Sequence, residues 1–298
     1  IKDFIRDDIW ELELEELSKA RARFIKYMKV IIITIKTFSA EKIGFQAVAL
    51  SFFSTMSVVP LIAIIFGVTG GLGLADKLEG FLYGYFQNSQ PIVNIVLKSA
   101  NNIISTTQSG GMGLISGLLF AWIVVWMMLN VERVFNNVWR VRKSRNIFKR
   151  ISYIIAMLLI APFVVMVFFS GNILYSHLLE SIGLDPETFG IFKTVLSWTL
   201  FGAIATFTFS AMYKFIPNAQ VNYKDALRAA LIVAIPFAAV QYTYLETQVF
   251  VTRLNSIFGA FAAVPLFMVW INIGWFIILI GAELSYAFQH VDDYNLED

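Results

Sequence analysis

Residues 44–68 read GFQAVALSFFSTMSVVPLIAIIFGV, a run of 25 positions without a charged side chain. At 1.5 Å per residue in an α-helix, this run is long enough to cross a membrane hydrocarbon core of about 30 Å. It also holds polar side chains that a helix facing only lipid does not need, namely Gln46, Ser51, Ser54, Thr55 and Ser57. At roughly 100° per residue they occupy about half of the helix circumference, so one side is predicted to face other helices or a wet cavity.

These polar side chains also have a purely structural interpretation. Serine and threonine hydroxyls inside membrane helices often bond to their own backbone or join two helices. Under either interpretation, the nearest polar counterparts are expected to be Asn272 and Glu283 in the last apolar segment and Asn130 at the end of the second. The sequence leaves open whether this side faces a cavity or a neighbouring helix.

The composition of the whole chain is that of an integral membrane protein. Of its 298 residues, 58% are hydrophobic and only 15% are charged, whereas a soluble domain carries nearer a quarter of charged residues. The absence of cysteine excludes a disulfide framework, a thiolate metal site and a cysteine nucleophile. A net charge of +2 is too small to indicate a nucleic-acid partner. No short apolar region followed by a small-residue cleavage site begins the sequence, so no cleavable signal peptide is expected.

Uncharged windows along the chain predict six membrane-spanning helices. These windows are residues 43–75, 99–131, 151–179, 194–213, 229–245 and 254–282. Apolar residues recur at helical spacing from Phe24 to Phe38, with lysines between them, which predicts a helix lying in the membrane interface. Two more amphipathic helices are predicted in the connection 69–110. We therefore expect an all-α integral membrane protein of six transmembrane helices, with amphipathic interfacial helices before helix 1 and between helices 1 and 2.

The distribution of basic residues predicts how the chain is oriented. Nineteen of the 23 Lys and Arg residues lie in segments 1–42, 132–150 and 214–228, which share one side of the membrane if the N-terminus is cytosolic. Both termini are therefore predicted to be cytosolic. The expected organisation is a cytosolic amphipathic N-terminal segment (1–42), a six-helix transmembrane domain (43–288) and an acidic cytosolic tail (289–298).

Glu283, near the inner end of the last apolar segment, is the strongest candidate for a functional group, because an ionisable side chain at membrane depth is rarely there without a role. The alternative is an interfacial acid that reaches water or pairs with an arginine of an inner loop. The predicted substrate-binding or path-lining residues are Gln46, Ser51, Ser54, Thr55, Ser57, Asn130, Asn272 and Glu283. The predicted contacts to lipid headgroups are Lys26, Lys29, Arg133, Arg140, Arg142 and Lys143.

The sequence contains few of the residue patterns that are typical of enzyme active sites. Its two histidines, His177 and His290, cannot form a histidine metal cluster, and a Ser/His/Asp triad has almost nowhere to form. No glycine-rich loop joins a strand to a helix, which disfavours a nucleotide-binding motif. We therefore expect no catalytic residue, no metal, no cofactor and no enzymatic activity.

Four blocks of the sequence resemble the YihY/BrkB family of bacterial inner-membrane proteins, formerly labelled ribonuclease BN-like. The blocks are QAVALSFFSTMSVVPLIAIIFG (46–67), LNVERVFNNVW (129–139), YKFIPNAQVNYKDAL (213–227) and SIFGAFAAVPLFMVWINIGWFIILIGAEL (256–284), and their order and spacing extend the resemblance over about residues 25–288. In the first block the family usually reads ALAYYTLLSLFP; Ala49, Leu50, Ser57 and Pro60 match this pattern, whereas residues 51–53 depart from it. The resemblance implies six helices in the bacterial inner membrane and a role in the cell envelope.

Three functions follow as hypotheses. The first is a transporter-like protein that moves or handles a lipid or an amphipathic solute in envelope maintenance, with anionic headgroups as partners on the cytosolic face. The second is a non-transporting scaffold or assembly factor that binds envelope proteins through residues 1–38. The third and most remote is a membrane-associated nuclease, which finds no support in an acid cluster that could bind a metal.

Overall fold

A computed structural model of the chain describes residues 18–71, 73, 75–85, 90–107, 111–141, 145–146, 148–156, 190–258, 263–292 and 294. Throughout these residues the regular structure is α-helical, as the sequence predicts. The helices are α1 (Lys19–Ala40), α2 (Ile43–Gly71), α3 (Ala75–Tyr85), α4 (Gln90–Thr107), α5 (Gly111–Val138), α6 (148–156), α7 (Gly190–Phe215), α8 (Tyr223–Phe258) and α9 (Ala263–His290).

Four of the described helices are long and apolar enough to cross a membrane. The qualifying stretches are Ile43–Gly67, Gly117–Val138, Tyr223–Tyr244 and Pro265–His290, in α2, α5, α8 and α9. They overlap the predicted windows 43–75, 99–131, 229–245 and 254–282. The window 194–213 lies within the 26-residue helix α7, and most of the window 151–179 lies outside the described residues.

The breaks between helices follow local sequence chemistry. Helix α2 ends at Gly71, and Gly73 has a φ of 69°, a left-handed conformation that glycine adopts without steric strain. The predicted pair of amphipathic helices between the first two spans is present as α3 and α4. Pro91 lies in the first turn of α4, where its missing N–H would have no helical partner in any case. Residues 1–17 and 295–298, which belong to the predicted N-terminal segment and tail, lie outside the described part.

The main hydrophobic core lies at the end of the bundle where α5, α7 and α9 end, called the basal end below. Helix α9 contacts α8, α2, α1, α5 and α7, and so forms the centre of the packing. Helix α1 lies on the end of α9, with Val30 and Ile33 buried and Tyr27 in edge contact with Phe288. A smaller core, built around Leu78, joins α2, α3 and α4. The basal end is therefore the most extensively packed part of the described chain.

Candidate functional site

Glu283 lies in the part of α9 that is buried on every side. All eight residues from 281 to 288 are buried, so this stretch of helix has no face toward solvent or lipid. The Glu283 side chain is 0% exposed, and among the described residues no group donates a hydrogen bond to either carboxylate oxygen. A buried carboxylate without a partner is energetically unfavourable, since it loses its hydration without a compensating bond. Such a group at this depth is the chief candidate for function in the described chain.

The charges that act most strongly on Glu283 come from two other elements. Arg140, in the turn after α5, attracts the carboxylate, and Glu41, at the end of α1, repels it. Neither forms an ion pair with Glu283 within the described part of the chain. The acid therefore lies within electrostatic range of charged groups at the basal end but forms no ion pair with either of them.

The turn that carries Arg140 is a Schellman motif at the C-terminus of α5. The Val141 N–H donates to the Asn136 carbonyl at 2.8 Å, and the Arg140 N–H donates to the Asn137 carbonyl at 2.9 Å. Arg140 takes the left-handed position of this motif, with a φ of 50°. Glycine is usual there, and a residue with a Cβ is less stable in this conformation by roughly 1–2 kcal/mol.

The guanidinium of Arg140 lies over an aromatic cluster. Its central carbon is 5.4 Å from the centre of the Tyr286 ring, a cation–π distance. Tyr286 stacks on His290 with ring centres 4.3 Å apart, and Trp139 meets Tyr286 edge-on at 5.6 Å. Glu283, Tyr286 and His290 follow one another at i, i+3 and i+7 on α9, so the acid and the aromatic cluster share one side of the helix. The cluster holds the turn after α5 against the end of α9.

A cavity of about 460 Å³ opens beside this turn, between the end of α1, the end of α5 and the segment after α9. Charged and polar lining residues are Lys36, Thr37, Glu41, Asn137, Arg140 and Tyr294. The Lys36 ammonium lies 5.7 Å from the centre of the Tyr294 ring. The two groups that act electrostatically on Glu283 both line this cavity, which relates the buried acid to an open basal site.

The polar side of α2 meets neighbouring helices. Asn272 Nδ2 donates to Ser51 Oγ at 3.4 Å, and Trp275 Nε1 donates to Ser54 Oγ at 2.8 Å. The expected contact between α2 and Asn272 is therefore present. Ser57 Oγ lies 2.9 Å from the sulfur of Met127 on α5.

The remaining polar residues of this side bond to nearby backbone. Thr55 donates to the Ser51 carbonyl at 2.8 Å, and Gln46 donates to the Glu41 carbonyl at 3.0 Å. On α5, Asn130 Nδ2 donates to the Trp126 carbonyl at 2.8 Å. These groups are joined to helices and backbone, in agreement with the structural interpretation of the polar side.

The two predicted path-lining residues on α9 lie far apart. Asn272 and Glu283 are 11 positions apart on α9, which corresponds to about 16 Å along a helix. Asn272 contacts Ser51 of α2, whereas Glu283 lies near the turn after α5.

The predicted headgroup contacts have different surroundings. Lys26 forms an ion pair with Asp292 at 2.7 Å, and Arg133 donates to Asn130 Oδ1 at 3.4 Å from an exposed position. Burial lowers the pKa of Lys29 below its ordinary value, with Asp292 opposing that effect. Arg140 lines the cavity. Arg142 and Lys143 lie outside the described residues.

The sequence does not identify several residues that line the basal cavity. Lys36 is one of the lysines between the apolar residues of the predicted interfacial helix, and no sequence pattern marks Glu41, Asn137 or Tyr294 as part of a site. They come from segments about 100 residues or more apart, and no spacing rule connects them. The described residues contain no group of three or more His, Cys, Asp or Glu side chains placed to hold a metal.

Comparisons with known proteins identify the chain's relatives. The profile of the family described as virulence factor BrkB matches residues 34–298. A UPF0761 membrane protein of Methylibium petroleiphilum is 27% identical over 263 residues, which cover 85% of this chain and 61% of that protein. One from Paraburkholderia xenovorans is 29% identical over 84% of this chain and 57% of its own length, and one from Vibrio vulnificus is 24% identical over 93% and 86%. The chain thus spans about three fifths of the length of the first two. No solved structure matches it.

Proposed function

The chain belongs to the BrkB/YihY family of membrane proteins, and we propose that it is a transporter-like protein that moves or handles a lipid or an amphipathic solute. The observation that carries this proposal is Glu283, which is fully buried within an apolar helix and has no described hydrogen-bond partner. Such an acid is unfavourable for stability, and intramembrane acids of this kind commonly serve ion or substrate movement. The proposal extends to a role in maintaining the cell envelope.

Reconstitution with a labelled lipid tests the proposal directly. Purified full chain in vesicles should move a fluorescent phospholipid between leaflets faster than protein-free vesicles do. Glu283→Gln should slow this movement by about 5- to 160-fold, since under this proposal it removes one buried polar interaction with the moving lipid, worth about 1–3 kcal/mol of the barrier. The matched control is Glu246→Gln, the same change at an exposed acid of α8, which should leave the rate unchanged. Equal rates for wild type, both variants and empty vesicles would contradict lipid movement.

The topology proposed for this function has six spans in the bacterial inner membrane and both termini in the cytosol. It is supported by the four long apolar helices and by the concentration of basic residues in segments 1–42, 132–150 and 214–228. Because the chain has no cysteine, single cysteines report topology without background. A cysteine replacing exposed Lys224 should react with an impermeant maleimide only after the inner face is opened, and one replacing Lys77 should react in intact cells. The opposite pattern would reverse the orientation.

A scaffold function is the second candidate, and one observation favours it. Helix α1 leaves an apolar face exposed, formed by Phe24, Tyr27, Ile31 and Ile35 at helical spacing. Under this hypothesis the double variant Ile31→Ser/Ile35→Ser should lose crosslinks to envelope proteins while lipid movement is retained. The control is Leu231→Ser/Ile235→Ser, which makes the same kind of change at exposed positions of α8. Unchanged crosslinks in the first variant would argue against the scaffold.

A further inference from the structure

We propose that the basal cavity between α1, the turn after α5 and the segment after α9 binds a phosphate group, either of a soluble phosphate ester or of a lipid headgroup. The proposal concerns binding at the surface of the basal end and does not depend on transport. It rests on the charge of the cavity, the conformation of Arg140 and the hydrogen-bond donors of Arg140 and Asn137.

Two cations from distant parts of the chain meet in this cavity. Lys36 comes from α1 and Arg140 from the turn after α5, and the acid on the lining is Glu41. The described lining therefore carries a net positive charge. A volume of about 460 Å³ lies within the range of sites for small molecules, about 300–1,000 Å³, and accommodates a phosphate with its ester substituent.

Arg140 is held in a way that leaves its hydrogen-bond donors for a ligand. A contact with the face of the Tyr286 ring positions the guanidinium without using its N–H groups. Among the described residues, Arg140 forms no ion pair and its side chain donates no hydrogen bond. A planar guanidinium presented in this way matches two phosphate oxygens at once.

The backbone of Arg140 is the second argument. Its φ of 50° is favourable for glycine and unfavourable for arginine, so the side chain is present at this position against the local conformational preference. Asn137, one turn earlier, adds an exposed amide to the same lining. The cavity thus combines two cations, an oriented guanidinium and a neutral amide donor. Phosphate is recognised by groups of this kind.

Substitution by glycine separates binding from folding. Arg140→Gly removes the guanidinium and relieves the left-handed backbone, so the melting temperature of the purified full chain should be unchanged or higher. Lys42→Gly is the matched control, because Lys42 also has a left-handed φ, of 51°, and is absent from the cavity lining. A second variant, Lys36→Gln, removes the other cation without changing the backbone.

The probes are glycerol 3-phosphate in solution and lipid nanodiscs of phosphatidylcholine with or without phosphatidic acid. Arg140→Gly should weaken binding of the responding probe by about tenfold or more, Lys36→Gln should weaken it less, and Lys42→Gly should leave it unchanged. Glu41→Gln should strengthen it, since the repulsion is removed. A response to glycerol 3-phosphate identifies a soluble ester, and a response to phosphatidic acid alone identifies a headgroup. If neither probe binds to the wild type, or if Arg140→Gly binds as well as the wild type, the proposal is wrong.

Discussion

The polar side of α2 and the end of α9 both place polar groups inside apolar helices, but they satisfy them differently. On α2, Ser51 and Ser54 accept hydrogen bonds from Asn272 and Trp275. On α9, the hydroxyl of Ser285 and both oxygens of Glu283 have no hydrogen-bond partner among the described residues. We therefore interpret the paired polar residues of α2 as helix-packing contacts, and the buried and unpaired Glu283 as the candidate functional group.

The largest expected effect comes from the close packing around the unpaired region. A Cβ at Gly281 would overlap the buried hydroxyl of Tyr213 and lie 2.9 Å from Val233 Cγ2. Gly281→Ala should therefore destabilise the chain by about 3 kcal/mol, in the upper range for overpacking. Thermal unfolding in detergent measures this effect. Tyr213→Phe removes the overlapping oxygen, so the double variant Gly281→Ala/Tyr213→Phe should be more stable than Gly281→Ala alone. If it is not, contact with the Tyr213 hydroxyl is not the cause of the destabilisation.

Paired and unpaired buried acids should respond differently to replacement by glutamine. Glu132 is buried and forms an ion pair with Arg150 at 2.7 Å, so Glu132→Gln should cost about 2 kcal/mol of stability. Glu283→Gln replaces an unpaired acid at a fully buried position with a neutral amide of similar size and should be neutral or stabilising. Thermal unfolding of the two variants under the same conditions measures this difference in stability. Equal destabilisation would mean that Glu283 has a partner in the intact protein.

A smaller effect is expected on the polar side of α2. Ser54→Ala removes the acceptor of the Trp275 N–H and should destabilise by about 1 kcal/mol. A double-mutant cycle with Trp275→Phe should give a coupling of about 0.6 kcal/mol, the usual size for such bonds between membrane helices. The cycle is measured by thermal unfolding. A coupling of zero would show that the bond between Ser54 and Trp275 does not contribute to the free energy of unfolding.

The smallest effect is expected at the exposed ion pair between α1 and the segment after α9. Lys26 and Asp292 have side chains that are 35% and 62% exposed, so their attraction is screened by water and salt. Asp292→Asn should change stability by less than about 1 kcal/mol, and the difference should shrink further in high salt. A larger loss of stability that does not depend on salt would indicate that Asp292 also supports the uncharged contacts of the segment after α9.

The sequence predicts the helices far better than it predicts the site. An uncharged run identifies α2 as a span because length and apolarity are local properties, and the polar spacing on α2 anticipates its contact with Asn272. The basal cavity has no such local signature. Nothing in the string VWRVRK reveals that Arg140 has a left-handed backbone, because that conformation is specified by the hydrogen bonds of the turn. Tyr294 and Lys36 meet only through the packing of α1 against the end of α9, a tertiary contact that periodicity cannot supply.

The packing of α1 on α9 also sets an order of events during synthesis. The contact between Lys26 and Asp292 spans 266 positions, and the Val30 and Ile33 face of α1 is covered only when the end of α9 has arrived. During translation this apolar face is synthesised among the first described residues, and it stays uncovered until the end of α9 has been synthesised. Among the described parts of the chain the basal end is therefore completed last, and a ribosome stalled before α9 should leave α1 accessible to chaperones or proteases.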